Sequence, residues 1–122
     1  MSNHTDRYQY GTIAEKTVLE YLTRKGLVRL NNNYRSRYGE IDLIMKENDT
    51  IIFIEVRYRS NTRYIDPIET IDKMKIQKII LTSQKFLQEF SDLGKFYRFD
   101  VITLTGDLES PEIQWIKNAF DV

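Results

Sequence analysis

Three acidic residues interrupt two segments that otherwise look like apolar β-strands. Glu40 and Asp42 begin the segment "EIDLIM", and Glu55 lies near the end of "TIIFIEV". An ionised carboxylate is costly to bury unless it is paired with a cation or bound to a metal ion. Strand alternation predicts that Glu40, Asp42 and Ile44 share one face, and that Glu55 and Arg57 share one face of the next strand. If the two strands pair, Asp42 and Glu55 converge near one edge of the sheet.

Two carboxylates at the solvent-accessible end of a strand pair suit a hard cation such as Mg²⁺, which prefers oxygen ligands and keeps several water ligands. Phosphoryl transfer uses such an ion to polarise a phosphate and to lower the pKa of the attacking water. The structural alternative is that Asp42 caps a turn and Glu55 pairs with a neighbouring arginine. These residues alone leave both interpretations open.

The composition excludes several other kinds of site. The chain has no cysteine and a single histidine, His4, which excludes disulfides, thiolate nucleophiles and histidine-rich metal sites and disfavours a Ser-His-Asp triad. No apolar run approaches about 18 residues, and "MSNHTDRYQYG" lacks a signal-peptide core, so we expect a cytoplasmic protein with no membrane partner. At 122 residues and 41% hydrophobic content, we expect one globular domain spanning residues 1–122.

The charges balance overall but are unevenly distributed. There are 18 basic and 18 acidic residues, so the net charge does not indicate a nucleic-acid partner. Basic residues nevertheless cluster between Arg24 and Arg63, and most charges after Phe86 are acidic. This asymmetry permits a basic face on a neutral protein. Ordinary solvated surface charge is an equally good interpretation.

The segment "RYRSNTRY" suggests how nucleic acid would be bound. We expect a polar loop here, whose arginines contact phosphates and whose tyrosines stack on exposed bases. The candidate nucleic-acid-binding residues are Arg35, Arg37, Arg57, Tyr58, Arg59, Arg63 and Tyr64. A plain solvent-exposed connection can have the same composition, so the signal is weak without a neighbouring site.

Periodicity indicates two helices and five strands. The predicted helices run from about Tyr8 to Lys25 and from Pro67 to Phe90, with Gly26 and Gly94 as their stop signals. The predicted strands are Val28–Tyr34, Glu40–Met45, Thr50–Val56, and the segments "YRFDVITLTG" and "EIQWIKNAF". This order predicts an α/β or mixed α+β domain in which the strand after the second helix pairs parallel to an earlier one.

Several ordered motifs resemble one known family. "NYRSRYGEIDLI" followed by "IIFIEVRYRS" closely resembles the "N-x-R-x-x-x-GEIDLI … FVEVK-x-R" core of the YraN family, bacterial proteins of uncertain function. "YGTIAEKTVLEYLTRKG", "IDKMKIQKI", "RFDVITL" and "IQWIKNAF" resemble its other segments, so the similarity covers nearly the whole chain. The family is similar to the PD-(D/E)XK nucleases. This implies a restriction-endonuclease-like α-β-β-β-α-β core with a central mixed sheet flanked by helices.

The resemblance implies roles for individual residues. Asp42 and Glu55 match the metal-binding acids of the motif, the backbone carbonyl of Val56 would be a further ligand, and Glu15 matches a first-helix glutamate that faces the metal site in related nucleases. The implied cofactor is Mg²⁺ or Mn²⁺. From the residues, Glu15 lies at the border of the apolar face of its helix, where it either points inward or is solvated near Lys16.

Arg57 departs from the family pattern, which has a lysine two residues after the acid. An arginine keeps the positive charge but is a very poor base and has a broader, planar head. Lys75 is a candidate substitute because it is the one charge on the apolar stripe of the second helix, and the family's second-helix lysine aligns with it. Lys75 either reaches toward the acids or holds its amine in water.

The leading interpretation is a divalent-metal-dependent endonuclease that hydrolyses DNA phosphodiesters, with branched or single-stranded repair and recombination intermediates as substrates by analogy. Its catalytic residues would be Asp42, Glu55, Arg57, Glu15 and Lys75. The alternative is a catalytically impaired nucleic-acid-binding or adaptor module, with Arg57 as the cause. Whether the protein is an enzyme, forms a homodimer or works with a repair protein is left open.

Overall fold

Two helices pack against opposite faces of one five-stranded sheet in a computed structural model that describes residues 4–60 and 71–121, without the side chains of residues 4–10. The elements in chain order are α1 (His4–Arg24), β1 (Val28–Ser36), β2 (Gly39–Glu47), β3 (Thr50–Arg59), α2 (Lys73–Glu89), β4 (Phe96–Thr105) and β5 (Glu112–Ile116). A short 3-10 turn, Ser91–Leu93, follows α2. The predicted mixed α+β class with a restriction-endonuclease-like core is confirmed.

The spatial order of the strands is β1-β2-β3-β4-β5. The first three form an antiparallel meander, as predicted, and β5 returns antiparallel to β4. β4 follows the helical crossover and pairs parallel to β3, which confirms the prediction from the element order. The sheet is therefore mixed, and β3 lies at its centre.

Helix α1 has a narrow apolar stripe and a well-defined end. Ala14, Val18 and Leu22 recur every four residues, lie on one face and are at most 1% exposed. After the helix, Gly26 has φ +99°, and the N–H groups of Gly26 and Leu27 donate to the carbonyls of Thr23 and Leu22. This is the Schellman arrangement, which requires a residue that tolerates positive φ.

Helix α2 begins later than the sequence predicts. Pro67 lies outside the described residues, but Asp72 is the N-cap and its side chain accepts a hydrogen bond of 2.7 Å from the Lys75 N–H. Ile71 therefore precedes the helix, although it is buried and lies within the predicted helical range from Pro67 to Phe90. The cap, rather than the proline, defines the helix start. Within the described part of the chain, no helix is long and apolar enough to cross a membrane.

The core has one layer on each side of the sheet. Side chains of α1 pack against one face of β2, β3 and β4, including Leu43, Ile52, Ile54, Ile102 and Leu104. Side chains of α2 pack against the other face with Tyr34, Ile41, Ile44, Ile51, Phe53 and Phe99. Because β3 is buried on both faces, a charged residue on it must be paired or must serve a site.

Asp100 on β4 is fully buried and holds the end of the sheet together. Its carboxylate accepts hydrogen bonds from Arg98 Nε at 3.0 Å, Trp115 Nε1 at 2.8 Å and the Asn118 N–H at 2.9 Å. These contacts connect β4 to β5 and to the turn that follows β5. They satisfy a charge that would otherwise be very costly to bury.

We expect Asp100→Asn to lower the free energy of unfolding by about 3 kcal/mol, because it leaves the half-buried Arg98 without its closest anion. Urea unfolding followed by circular dichroism measures this change. Asp92→Asn, at an exposed position, is the matched control and should alter stability by less than about 0.5 kcal/mol. Equal stability of the two variants would contradict the structural role of Asp100.

Candidate functional site

The sheet opens between β2 and β3. Their ladder runs from the Glu47–Thr50 pair to the Leu43–Ile54 pair and ends there. Beyond that point β2 stays paired with β1, and β3 stays paired with β4 as far as Arg59. Asp42 and Glu55 are the first residues past the last rung, so they lie where the two strands separate. We call this opening the fork.

Asp42 spans the fork. Its Oδ2 accepts a hydrogen bond of 2.9 Å from the Val56 N–H, a backbone group that no β2 residue pairs with in the ladder. The proposed turn-capping role of Asp42 is thus wrong, because its carboxylate bonds across two strands. The Val56 carbonyl remains a predicted metal ligand.

The alternation predicted for β2 is wrong at Glu40. Ile41 and Ile44 both face α2, although strict alternation puts residues three apart on opposite faces. Asn33 on the paired strand has φ +52°, and this irregularity accompanies the change of face. As a result Glu40 lines a cleft on the α1 side and forms an ion pair of 2.9 Å with Arg35.

Glu55 is the most deeply buried carboxylate of the fork, with 5% of its surface exposed. Its Oε1 lies 3.6 Å from Arg57 Nε and 3.6 Å from Lys75 Nζ. Its Oε2 is buried and has no hydrogen-bond partner among the described residues. Glu55 therefore pairs with an arginine through Oε1, as the structural alternative predicts, and its Oε2 is left without a hydrogen bond among the described residues.

Lys75 reaches the fork from α2, as the apolar stripe suggests. The Asp72 cap fixes the first turn of the helix through the Lys75 N–H, and the Lys75 ammonium lies above β3 near Glu55. Arg57 approaches the same oxygen from two residues along β3. Two cations of different chemistry thus share one carboxylate oxygen. Their predicted catalytic roles remain predictions.

Glu15 is half-buried on α1 and approaches the fork from the opposite face. It lines a cleft of about 530 Å³ with Asn33, Arg35 and Glu40, among others. Among the described residues, no three carboxylate or imidazole side chains are grouped so that they could hold a metal ion. Glu15 is therefore not placed as a third ligand beside Asp42 and Glu55, and its metal-binding role remains a prediction.

The three acids of this region resist ionisation. Burial, with Asp42 and Glu40 nearby, raises the pKa of Glu15 to about 7. Burial and the charge of Asp42 raise the pKa of Glu55 to about 7, although Lys75 and Arg57 act in the opposite direction. Burial also raises the pKa of Asp42, against the Val56 N–H and the Lys75 charge. Burial is the largest cause of all three shifts, so each carboxyl holds its proton more tightly than a solvated acid and would release it on binding a cation.

The predicted nucleic-acid-binding residues do not form one loop. Arg57, Tyr58 and Arg59 continue β3 because they stay paired with β4, so the predicted loop cannot begin at Arg57. Tyr58 packs against the core on the α1 side, and its hydroxyl donates to the Gly106 carbonyl. This position does not favour stacking on a base. Arg63 and Tyr64 lie outside the described residues.

Arg35 and Arg37 lie at the β1–β2 turn. Arg35 is exposed and pairs with Glu40. Arg37 is exposed, and its Nη2 donates a hydrogen bond of 2.6 Å to the hydroxyl of Tyr38. Neither the position of Tyr38 nor the Asp72 cap was predicted from the sequence. An aspartate three residues before Lys75 was a usable signal for the cap, whereas the position of Tyr38 depends on tertiary packing.

We expect the metal-free protein to lose stability as pH rises from 5.5 to 7.5. The folded protein retains the Glu55 proton up to a pKa of about 7, whereas an unfolded chain releases it near pH 4.5. The folded state thus binds more protons than the unfolded state in this interval. The stabilisation that the Glu55 proton provides is fully present below the unfolded pKa and is lost as the pH passes the folded pKa. The expected loss is about 2 kcal/mol.

Urea unfolding in EDTA at several pH values measures this loss. Glu55→Gln should remove the share of the decline that comes from Glu55 and leave the share of Glu15, whose pKa is also raised to about 7. Glu20→Gln, at an exposed position, should leave the decline unchanged. Mg²⁺ should restore stability at pH 7.5 if the fork binds it, since a ligand of the folded state stabilises that state. A decline of equal slope in Glu55→Gln and wild type would show that Glu55 does not hold a proton in the folded protein.

Comparison with known proteins identifies relatives that match most of the chain. The model of a family described as "Uncharacterised protein family UPF0102" matches residues 14–104. A UPF0102 protein of Psychromonas ingrahamii is 46% identical over 110 residues, which cover 90% of this chain and 88% of the relative. UPF0102 proteins of Methylococcus capsulatus and Coxiella burnetii are 40% and 42% identical, with 91% and 92% of this chain and 89% and 92% of the relatives covered.

Proposed function

This chain belongs to the uncharacterised protein family UPF0102, also known as the YraN family, and from that premise we propose that it is a divalent-metal-dependent nuclease that hydrolyses DNA phosphodiesters at the fork. The observation that supports the proposal most directly is Glu55 Oε2, a buried carboxylate oxygen without a hydrogen-bond partner among the described residues. It lies where β2 and β3 separate, beside Asp42. Such an oxygen is costly to bury unless it binds something.

The residues at the fork fit Mg²⁺ or Mn²⁺. Asp42 and Glu55 supply hard oxygen ligands, and Mg²⁺ needs only one or two carboxylates because it keeps several waters. The Val56 carbonyl and Glu15 are the further candidate ligands. When bound, the ion would polarise the phosphate and lower the pKa of a water molecule. Binding of the cation would displace a proton from Glu55, whose pKa is raised to about 7 mainly by burial.

Lys75 and Arg57 together replace the motif lysine that is absent at position 57. Lys75 has a compact ammonium that can orient a water molecule and exchange a proton, and it lies 3.6 Å from Glu55. Arg57 lies at the same distance from the same oxygen, and its guanidinium would supply positive charge to a phosphate bound at the fork. On this basis Arg57 is compatible with catalysis, because a lysine is still present at the fork.

The alternative function is a catalytically impaired DNA-binding or adaptor module, and it is favoured by Arg57 at the position of the family's lysine. In that case the fork would bind a metal or a phosphate without turnover. Both functions place the protein in the cytoplasm with DNA as its partner. A homodimer or a repair protein would be a further partner in either case.

Cleavage of labelled single-stranded, duplex and four-way-junction DNA tests the proposal. The wild-type protein is incubated with Mg²⁺ or Mn²⁺ in excess over EDTA, and a second sample is kept in excess EDTA. Metal-dependent cutting of at least one substrate is expected. Binding of DNA without cutting of any substrate in either metal would support the impaired module instead.

A further inference from the structure

A second surface lies between the β1–β2 turn and α2. It is a groove of about 420 Å³ lined by Arg37, Tyr38, Leu81, Gln84, Lys85 and Gln88. The polar members of this set are exposed, and Tyr38 shows 37% of its surface. We call this surface the α2 groove. None of its residues contacts the acids of the fork, so the proposed chemistry does not account for it.

The aromatic ring of the α2 groove is held in place. The Tyr38 N–H donates to Ser36 Oγ at 3.0 Å, and that oxygen lies 2.7 Å from the hydroxyl of the buried Thr82 on α2. The Arg37 guanidinium lies 4.9 Å from the centre of the Tyr38 ring and bonds to its hydroxyl. The turn is thereby tied to α2 and presents an aromatic ring with an attached cation, which are the two elements that stack and neutralise a nucleotide.

Basic residues connect the α2 groove to the fork. Lys75 contacts Glu55 at the fork, and Lys85 lies ten residues further along α2, a rise of about 15 Å. Lys78 lies between them and packs beside Gly39, where an added Cβ would be 3.6 Å from Lys78 Cβ. Lys85 also lies 3.7 Å from Glu89, but Arg37 remains exposed at the other side of the groove. The cations thus follow one path along α2.

We propose that the α2 groove binds a single-stranded nucleic acid segment adjacent to the reacting phosphate, with a base stacked on Tyr38 and the backbone on Arg37, Lys78 and Lys85. The orientation of the bound strand relative to the fork rests on the proposed function. The substrate class, a single-stranded nucleic acid, is what the groove adds to it. A base in an intact duplex is stacked on its neighbours and is not available to a protein ring, whereas a single strand exposes its bases. The adjoining glutamines suit sequence-tolerant polar contacts.

Binding of a fluorescein-labelled 12-nucleotide oligo(dT) in EDTA, followed by anisotropy, tests the inference without cleavage. We expect Tyr38→Ala to weaken binding about tenfold and Tyr38→Phe to bind nearly as well as wild type, because stacking needs the ring and not the hydroxyl. Phe96→Ala is the matched control. Phe96 is 64% exposed and lies at the far end of β4, beside Thr50.

Salt dependence supplies a second readout. Each lost phosphate contact should make the plot of log affinity against log salt shallower by about 0.7 for a single strand. Lys85→Gln and Arg37→Gln are expected to show this change, and Lys95→Gln, at an exposed position away from the groove, is not. A labelled duplex of the same length should bind less tightly than the single strand and should not respond to Tyr38→Ala.

Three results would overturn the inference: wild-type affinity for oligo(dT) in Tyr38→Ala, an equal loss in Phe96→Ala, or an equal response of the duplex. Failure of the proposed function has a different signature. Metal-dependent cutting with no effect of Tyr38→Ala on binding would rule out the binding role of the α2 groove and support the nuclease activity. Binding that depends on Tyr38 without any cutting would support the binding role of the α2 groove and rule out the nuclease activity.

Discussion

Replacing Asp42 by asparagine is expected to lower metal-dependent DNA cleavage by about a thousandfold or more, because it removes one of two charges available to hold the ion at the fork. Asparagine retains an oxygen that can accept the Val56 N–H, so the fold should survive the change. Single-turnover cleavage rates in saturating Mg²⁺ and Mn²⁺ measure the effect on the substrate that the wild-type protein cuts best.

Asp92→Asn is the control for the loss of an aspartate at an exposed position, and its cleavage rate should equal that of wild type. Urea unfolding of both variants separates a chemical effect from an unfolded sample. Cleavage by Asp42→Asn at the wild-type rate, with the same metal dependence, would contradict the assignment of Asp42 and remove the fork as the active site.

The second large effect is expected at Lys75. Lys75→Ala should lower the cleavage rate by about a hundredfold, because Arg57 can supply charge but is a very poor base. Arg57→Lys should change the rate by less than about tenfold, since a lysine already lies 3.6 Å from Glu55. Two further measurements show whether Lys75 exchanges a proton. One is the pH dependence of the cleavage rate from pH 6 to pH 9. The other is Lys75→Arg, which keeps the positive charge and should still lower the rate if proton exchange is needed.

Lys73→Ala, which alters an exposed lysine of the same helix, is the matched control. If Lys75→Ala cuts DNA as fast as wild type, Lys75 has no catalytic role. If the parent protein is inactive and Arg57→Lys gains strong metal-dependent cleavage, the impaired module is correct and the lysine at position 57 is indispensable.

Much of the fold follows from local sequence patterns. Apolar spacing, the Gly26 stop and the polar turn between β2 and β3 suffice for the element order, and the helical crossover suffices for the parallel pairing of β3 with β4. The start of α2 was misplaced because Pro67 is a helix-start signal in isolation, whereas the cap comes from Asp72. A proline and an N-cap aspartate are both helix-start signals, and the sequence alone does not decide which of them begins the helix.

The candidate site was predictable in its residue types and only partly in its geometry. Alternation places Glu55 and Arg57 on the same face of β3, and the structure agrees. Alternation fails on β2, because Ile41 and Ile44 face the same side of the sheet and Glu40 lies on the α1 side. The fork itself was not predictable, since it depends on where two long strands stop pairing.

The proposed function depends on the binding of one divalent cation by Asp42 and Glu55 at the fork. Calorimetric titration of Mn²⁺ into the wild-type protein, in two buffers of different ionisation enthalpy at pH 6.5, tests it most directly. We expect a binding event that releases protons, since burial raises the pKa of Glu55 to about 7. We expect Asp42→Asn to lose this binding event. Absence of Mn²⁺ binding by the wild-type protein, or equal binding by Asp42→Asn, would contradict it.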